Sequence, residues 1–155
     1  MQNSVILTSL VENRAGVLNR IASLFRRRRF NIESLTVGHS EMTGWSRMTI
    51  VLNYATNVDQ VVKQMGKLIE VREIKVLKNE QAIVRDLALI KLQKTARVLR
   101  ELPLIQQEFA VKVVSQEAKN LILEIVDTPQ SLEKFFARLQ NFPIRKISKT
   151  GVTAI

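Results

Sequence analysis

Residues 5–11, Val-Ile-Leu-Thr-Ser-Leu-Val, form a short apolar run. The next apolar positions, Val17, Leu18, Ile21, Leu24 and Phe25, fall at the i, i+3, i+4, i+7 spacing of an amphipathic helix. The run predicts a strand, and the spacing predicts a helix over residues 16–28. Strand-like stretches follow at 31–38 and 46–54, then a helical stripe of Val58, Val61, Val62, Met65, Leu68 and Ile69 over 58–69, and a strand at 71–77. From Val84 the order returns less crisply, as strand 87–92, helix 96–102, strands 110–115 and 121–126, helix 132–139 and strand 144–148. Each half therefore reads as a split βαβ, the βαββαβ ferredoxin-like unit, whose two helices cover one sheet face and leave the other open. The fold class is α+β, in two domains, residues 1–79 and 80–155, jointed at the polar patch Lys78-Asn79-Glu80-Gln81.

Local chemistry supports these elements. Thr56 or Asn57 can cap the second helix, and Asp127-Thr128-Pro129 supplies a cap and a first-turn proline to a helix burying Leu132, Phe135, Phe136 and Leu139. Pro103 should end the third helix after Leu102 and leave 104–108 irregular, because proline lacks the helical N–H donor and clashes with the preceding turn. Halves this small bury only about 60% of their unfolded surface. An open apolar face and free edge strands point to a homodimer with sheets joined side by side.

Composition narrows the functional classes. No apolar run approaches the roughly 20 residues of a membrane span, and Met1-Gln2-Asn3-Ser4 lacks the character of a signal peptide, which predicts a cytoplasmic protein with no membrane partner. With no cysteine and one histidine, His39, the chain has little from which to build a disulfide, a thiolate or histidine metal site, or a catalytic triad. The net charge of +10, with Arg26-Arg27-Arg28-Arg29 in a row, raises nucleic acid as a partner. The simpler reading is that cations at a helix C-terminus meet its dipole. An RNA platform on a split βαβ sheet also needs strand aromatics, and these strands offer only Tyr54 and, at the hairpin end, Trp45.

The candidate chemistry lies where the first strand turns into the first helix, at Glu12-Asn13-Arg14-Ala15-Gly16-Val17-Leu18. A glycine there lets backbone N–H groups face outward, and a helix N-terminus of bare N–H groups suits a small carboxylate. Any side chain at Gly16 is expected to crowd the helix start. This is a binding loop with no catalytic group. Together with Arg20-Ile21, Leu24-Phe25, Asn31-Ile32-Glu33-Ser34-Leu35-Thr36-Val37 and Ser46-Arg47-Met48-Thr49-Ile50, it resembles the regulatory (small) subunits of acetohydroxyacid synthase, or acetolactate synthase, whose first half is an ACT domain. Motif similarity runs over residues 5–77; beyond Val84 arrangement and length carry it.

That resemblance implies a non-catalytic regulator. Its effector is a branched-chain amino acid, valine before isoleucine or leucine, held at an ACT dimer interface by Asn13, Ala15, Gly16, Val17, Leu18, Asn31 and Ile32. Gly16 and Val17 would give N–H groups to the carboxylate, Asn13 would hold the ammonium or carboxylate, and Asn31 would come from the neighbouring subunit. The first half would bind effector and dimerise; the second would dimerise and activate the catalytic large subunit. Thiamine diphosphate, magnesium and FAD would belong to that large subunit, with no cofactor or metal in this chain. The family commonly has glycine where this chain has Arg29, so the turn into Asn31 is expected to differ in shape. His39 reads as a solvated hairpin residue, Trp45 as packing over the hairpin, and Glu12 and Glu33 as unpaired for catalysis. The alternatives are an ACT sensor serving another enzyme and a basic RNA-binding module.

Overall fold

The computed structural model describes residues 4–53, 56–77 and 82–155. Met1-Gln2-Asn3, Tyr54 and the joint Lys78-Asn79-Glu80-Gln81, with the boundary expected between residues 79 and 80, lie outside the described residues. The chain divides into two units, Met1–Ile83 with Val152–Ile155, and Val84–Gly151. Among the described residues no helix is long and apolar enough to cross a membrane.

In the first unit β1 (Ser4–Glu12), α1 (Val17–Arg28), β2 (Ile32–His39), β3 (Trp45–Asn53), α2 (Val58–Met65) and β4 (Val71–Leu77) follow the expected order. They build an antiparallel sheet in the order β2-β3-β1-β4. Leu7 and Val11 of β1 share a face with Met48, Ile50 and Leu52 of β3, and the helices lay Val17, Ile21, Leu24, Phe25, Val61 and Met65 on it. Alternation along a strand sends Ile6, Thr8 and Leu10 to the other face, opposite Val51, Thr49 and Arg47.

That helix-free face is not open, contrary to the expectation from sequence. Ile6, Leu10 and Val51 are buried, as are Val152 and Ala154 of the returning C-terminal segment. The Val152 N–H donates to Ser34 Oγ at 2.9 Å, and Ser34, paired with Val51, lies on the helix-free face. Ile155 exchanges two backbone hydrogen bonds with Ile83. This return, with its two-residue strand β9 (Thr153–Ala154), had no periodic signal in the sequence.

Helix α2 stops at Met65, four residues short of the expected stretch, with Gly66 as its C-cap. Beyond that stop the 3.6-residue period no longer governs. Ile69, counted in the buried stripe, is 81% exposed, whereas its polar neighbour Glu70 is 2% exposed. Asn57, one of the two proposed caps, accepts the Gln60 N–H.

The second unit repeats the plan with β5 (Val84–Gln93), α3 (Ala96–Glu108), β6 (Val111–Gln116), β7 (Asn120–Asp127), α4 (Pro129–Leu139) and β8 (Ile144–Lys149), in the order β6-β7-β5-β8. Its core joins Ala88, Ile90 and Leu92 of β5 to Leu121, Leu123 and Ile125 of β7 under Val98, Ile105, Leu132, Phe135 and Leu139. Helix α3 runs through Pro103 to Glu108, correcting the expected stop at Leu102. An internal proline costs about 3 kcal/mol. Burying Ile105 beyond it recovers about 1.5–3 kcal/mol, and Phe109, packed edge-on to Phe135, adds to that. Pro103 and Leu99 are both exposed, so water can serve the carbonyl that proline leaves unpaired.

Candidate functional site

The loop joining β1 to α1 is held from two sides. On one, the Asn13 N–H donates to the Gly44 carbonyl at 2.8 Å, and the Asn13 side-chain nitrogen lies 3.2 Å from His39 Nδ1. Donation to Nδ1 requires an imidazole carrying its proton on Nε2. The β2–β3 hairpin that presents Gly44 and His39 is itself fixed by Ser40, whose Oγ donates to the Met42 and Trp45 carbonyls and accepts the Met42 N–H. On the other side, the Glu12 N–H donates to the Glu70 carbonyl at 2.9 Å. The buried Glu70 carboxylate takes Arg20 at 2.5 Å and Arg14 at 3.4 Å, and Arg14 also pairs with Glu12.

Gly16 is the N-cap residue of α1, with φ 89° and ψ −17°, and no side chain caps the helix. A Cβ built there meets nothing within 4 Å. The expected crowding is therefore corrected: the space is open, and the cost of a side chain is the left-handed backbone itself. Asn13, Ala15, Gly16 and Leu18 are exposed and Val17 is buried in the core. The loop thus presents polar side chains, backbone and two apolar side chains, Ala15 and Leu18, to the outside.

Asn31 and Ile32 lie elsewhere. β2 runs parallel to β1 through the intervening antiparallel β3, so Asn31 precedes Ile32 opposite Leu52 while Asn13 follows Glu12 opposite Trp45. The eight residues of β2 span roughly 23 Å at about 3.3 Å per residue. Within one chain the predicted site is two half-sites at opposite ends of a sheet. Asn31 is exposed and lines a cleft of about 480 Å³ with Arg29, Phe30, Asn53, Thr56, Asn57 and Gln60. Ile32 is half-buried against the core. Glu12 and Glu33, assigned no joint role from sequence, likewise sit at opposite ends.

Arg29 takes the left-handed conformation directly, φ 57° and ψ 32°. The Phe30 N–H reaches back to Phe25 and the Arg29 N–H to Arg26, which closes the helix in the manner glycine usually serves. The turn into Asn31 is therefore not reshaped, as the absent glycine had led one to expect. Arg26, Arg27 and Arg28 occupy the last helical turn, exposed, where the helix dipole favours cations. Trp45 is half-buried with the Arg72 guanidinium 5.4 Å from its ring centroid.

Sequence reasoning missed the loop's supports. Only Arg14 and Arg20, basic residues on both sides of Gly16, hinted that an acidic partner was needed.

The family described as "AHAS small subunit-like ACT domain" matches residues 7–73, and the family described as "Small subunit of acetolactate synthase" matches residues 85–155. The acetolactate synthase small subunit of Bacillus subtilis is 36% identical over 96% of this chain and 88% of its own length. That of Mycolicibacterium smegmatis is 39% identical, also over 96% and 88%. This chain belongs to the acetolactate synthase small-subunit family. The crystal structure of the acetolactate synthase small subunit from Thermotoga maritima superimposes with a TM-score of 0.90 at 32% identity, covering 98% of this chain and 96% of that one. The resemblance drawn from the Asn-Ile-Glu-Ser-Leu-Thr-Val string is borne out, and so is the ACT-type ferredoxin-like fold; the two small-subunit families match both halves of the chain.

Proposed function

We propose that this chain is the regulatory, non-catalytic subunit of acetolactate synthase. It binds a branched-chain amino acid, valine foremost, between the ACT units of two copies, and through that binding activates and feedback-inhibits a separate catalytic subunit. The observation that carries the reading is the uncapped, glycine-opened start of α1 beside Asn13. Its N–H groups, which no side chain caps and of which Val17's makes only a long 3.4 Å bond to the Arg14 carbonyl, suit a carboxylate together with the positive end of the helix dipole, and the Asn13 amide oxygen suits an ammonium. Leu18, exposed in the first turn of the helix, suits an aliphatic side chain. Thiamine diphosphate, magnesium and FAD are assigned to the catalytic subunit and none to this chain.

The separation of Asn13 from Asn31 supports a site built by two copies. β2 is the outer strand of its sheet, and two β2 edges related by a two-fold axis would run antiparallel. The Asn31 end of one copy then falls beside the His39 end of the other, where Asn13 is tethered. Control by such a site is linkage: the effector must favour one arrangement of the holoenzyme, and a coupling of about 1–3 kcal/mol gives about 5- to 150-fold regulation. A ligand as small as valine is expected to bind in the micromolar to millimolar range.

Calorimetry of the full chain with valine, isoleucine and leucine tests binding, and an assay with the co-purified thiamine-dependent large subunit tests control. Saturable binding of at least one of them and effector-dependent activity are expected. A folded chain that binds none, or that associates with a different enzyme, overturns the reading.

A further inference from the structure

We propose that Glu70 is a positioning residue that holds the effector loop in its binding-competent shape; this rests on the function proposed above. Three connections converge on it. Its backbone carbonyl accepts the Glu12 N–H at the end of β1. Its carboxylate takes Arg14, two residues before Gly16, and Arg20, four residues after it, whose own N–H donates to the Gly16 carbonyl. One side chain thus grips both flanks of the left-handed glycine.

The exposures say which partner is the anchor. The Glu70 side chain is 2% exposed, while those of Arg14 and Arg20 are 55% and 61% exposed. A carboxylate shut away from water must find its partners within the protein, whereas the arginines could each be solvated alone. The carboxylate is therefore the fixed point and the arginines are drawn to it. Gly16, with no side-chain cap and the freest backbone of any residue, is held locally by a long Val17 N–H bond to the Arg14 carbonyl at 3.4 Å and by the Arg20 N–H on its own carbonyl, and the side chains of both Arg14 and Arg20 are the ones Glu70 grips. The same pairing turns two guanidinium groups inward, leaving the backbone N–H groups to meet an effector carboxylate.

The test compares the full-length chain with Glu70→Gln, Arg20→Gln, the double variant, and Asp86→Asn as a control. Asp86 is a buried carboxylate paired with Lys149 in the second unit, so its loss reports a general penalty for breaking a buried ion pair. Valine titration is expected to show about 10- to 100-fold weaker binding for Glu70→Gln. Arg20→Gln should weaken binding in the same direction, the double variant should fall short of the product of the single effects, and Asp86→Asn should match the wild type. Amide hydrogen exchange gives a readout without ligand: residues 12–20 should exchange about tenfold faster in Glu70→Gln and Arg20→Gln, with the second unit unchanged. Wild-type affinity and wild-type exchange in a folded Glu70→Gln protein would overturn the proposal, as would an equal loss of affinity in Asp86→Asn. Should Glu70→Gln not fold, Arg20→Gln decides by the same two readouts. Should the wild-type chain bind no branched-chain amino acid, the functional reading fails and exchange at residues 12–20 alone judges Glu70.

Discussion

The two units share a strand order yet treat the start of their first helix in opposite ways. In the second, Lys94 and Thr95 alone join β5 to α3, and Thr95 Oγ1 accepts the Val98 N–H at 3.2 Å. In the first, residues 13–16 join β1 to α1, the cap position is a left-handed glycine, and no side chain satisfies the helix. A cap of the Thr95 kind is worth about 1 kcal/mol. The fold plainly accommodates it, since the second unit has it. The first forgoes that stability: its Val17 N–H reaches the Arg14 carbonyl at 3.4 Å and no side chain caps the helix, the feature on which the proposed carboxylate site rests.

The sharpest way to break this comparison is to cap the first helix as the second is capped. Gly16→Asp supplies a side-chain acceptor at the helix start, sets a negative charge against an incoming carboxylate, and costs about 1–2 kcal/mol for the left-handed backbone. Valine binding should fall beyond calorimetric detection while the protein stays folded. Unchanged binding in a folded variant would end the contrast between the two helix starts.

Next in size, deleting Val152–Ile155 should destabilise the first unit by about 2 kcal/mol, through the lost burial of Val152, read as a lower denaturant midpoint. The converse of the capping test is Thr95→Ala, expected to cost about 1 kcal/mol and leave valine affinity unchanged. Arg29→Gly should add about 0.5–1 kcal/mol by relieving the left-handed arginine, visible as a higher melting temperature.

The smallest effect concerns acid. Ser131 Oγ–H, and then the Thr128 N–H, donate to the Asp127 carboxylate and hold its pKa below the ordinary value. The folded state thus prefers the charged form. Its contribution is complete above the unfolded carboxyl's value of about 3.9 and disappears as pH falls through the lowered one. Asp127→Asn should flatten that limb of a stability-against-pH curve.

Periodicity carried most of the fold because both sheets bury a helix-covered face. Val17, Ile21, Leu24 and Phe25 announced α1, and Thr128-Pro129 announced α4, through interactions made within a few residues. What stayed hidden depends on distant partners. Nothing near Pro103 reveals that Ile105 will find a core seat worth continuing a helix for. The inversion of Ile69 and Glu70 is the clearest case, since hydropathy ranks them the wrong way round and the partners that bond the Glu70 carboxylate lie 50 and 56 residues away. The site followed the same rule. Gly16 and Asn13 were legible as a turn into a helix, but His39, Gly44 and Glu70, which fix that turn, meet it only after the sheet has formed.

Because β1 and β2 run in the same direction, no single copy of this chain can close around a ligand with both Asn13 and Asn31. If a second copy supplies the missing asparagine, occupancy belongs to the pair, and two identical seats sit at the two ends of one seam. Each molecule of amino acid is then also an adhesive between subunits, adding about 2.7 kcal/mol to their association at a hundredfold excess over its dissociation constant. The sensitivity of such a sensor is set partly by its own abundance: a cell that makes more of the chain lowers the amino-acid level at which the switch responds, with no change to any residue that touches the ligand.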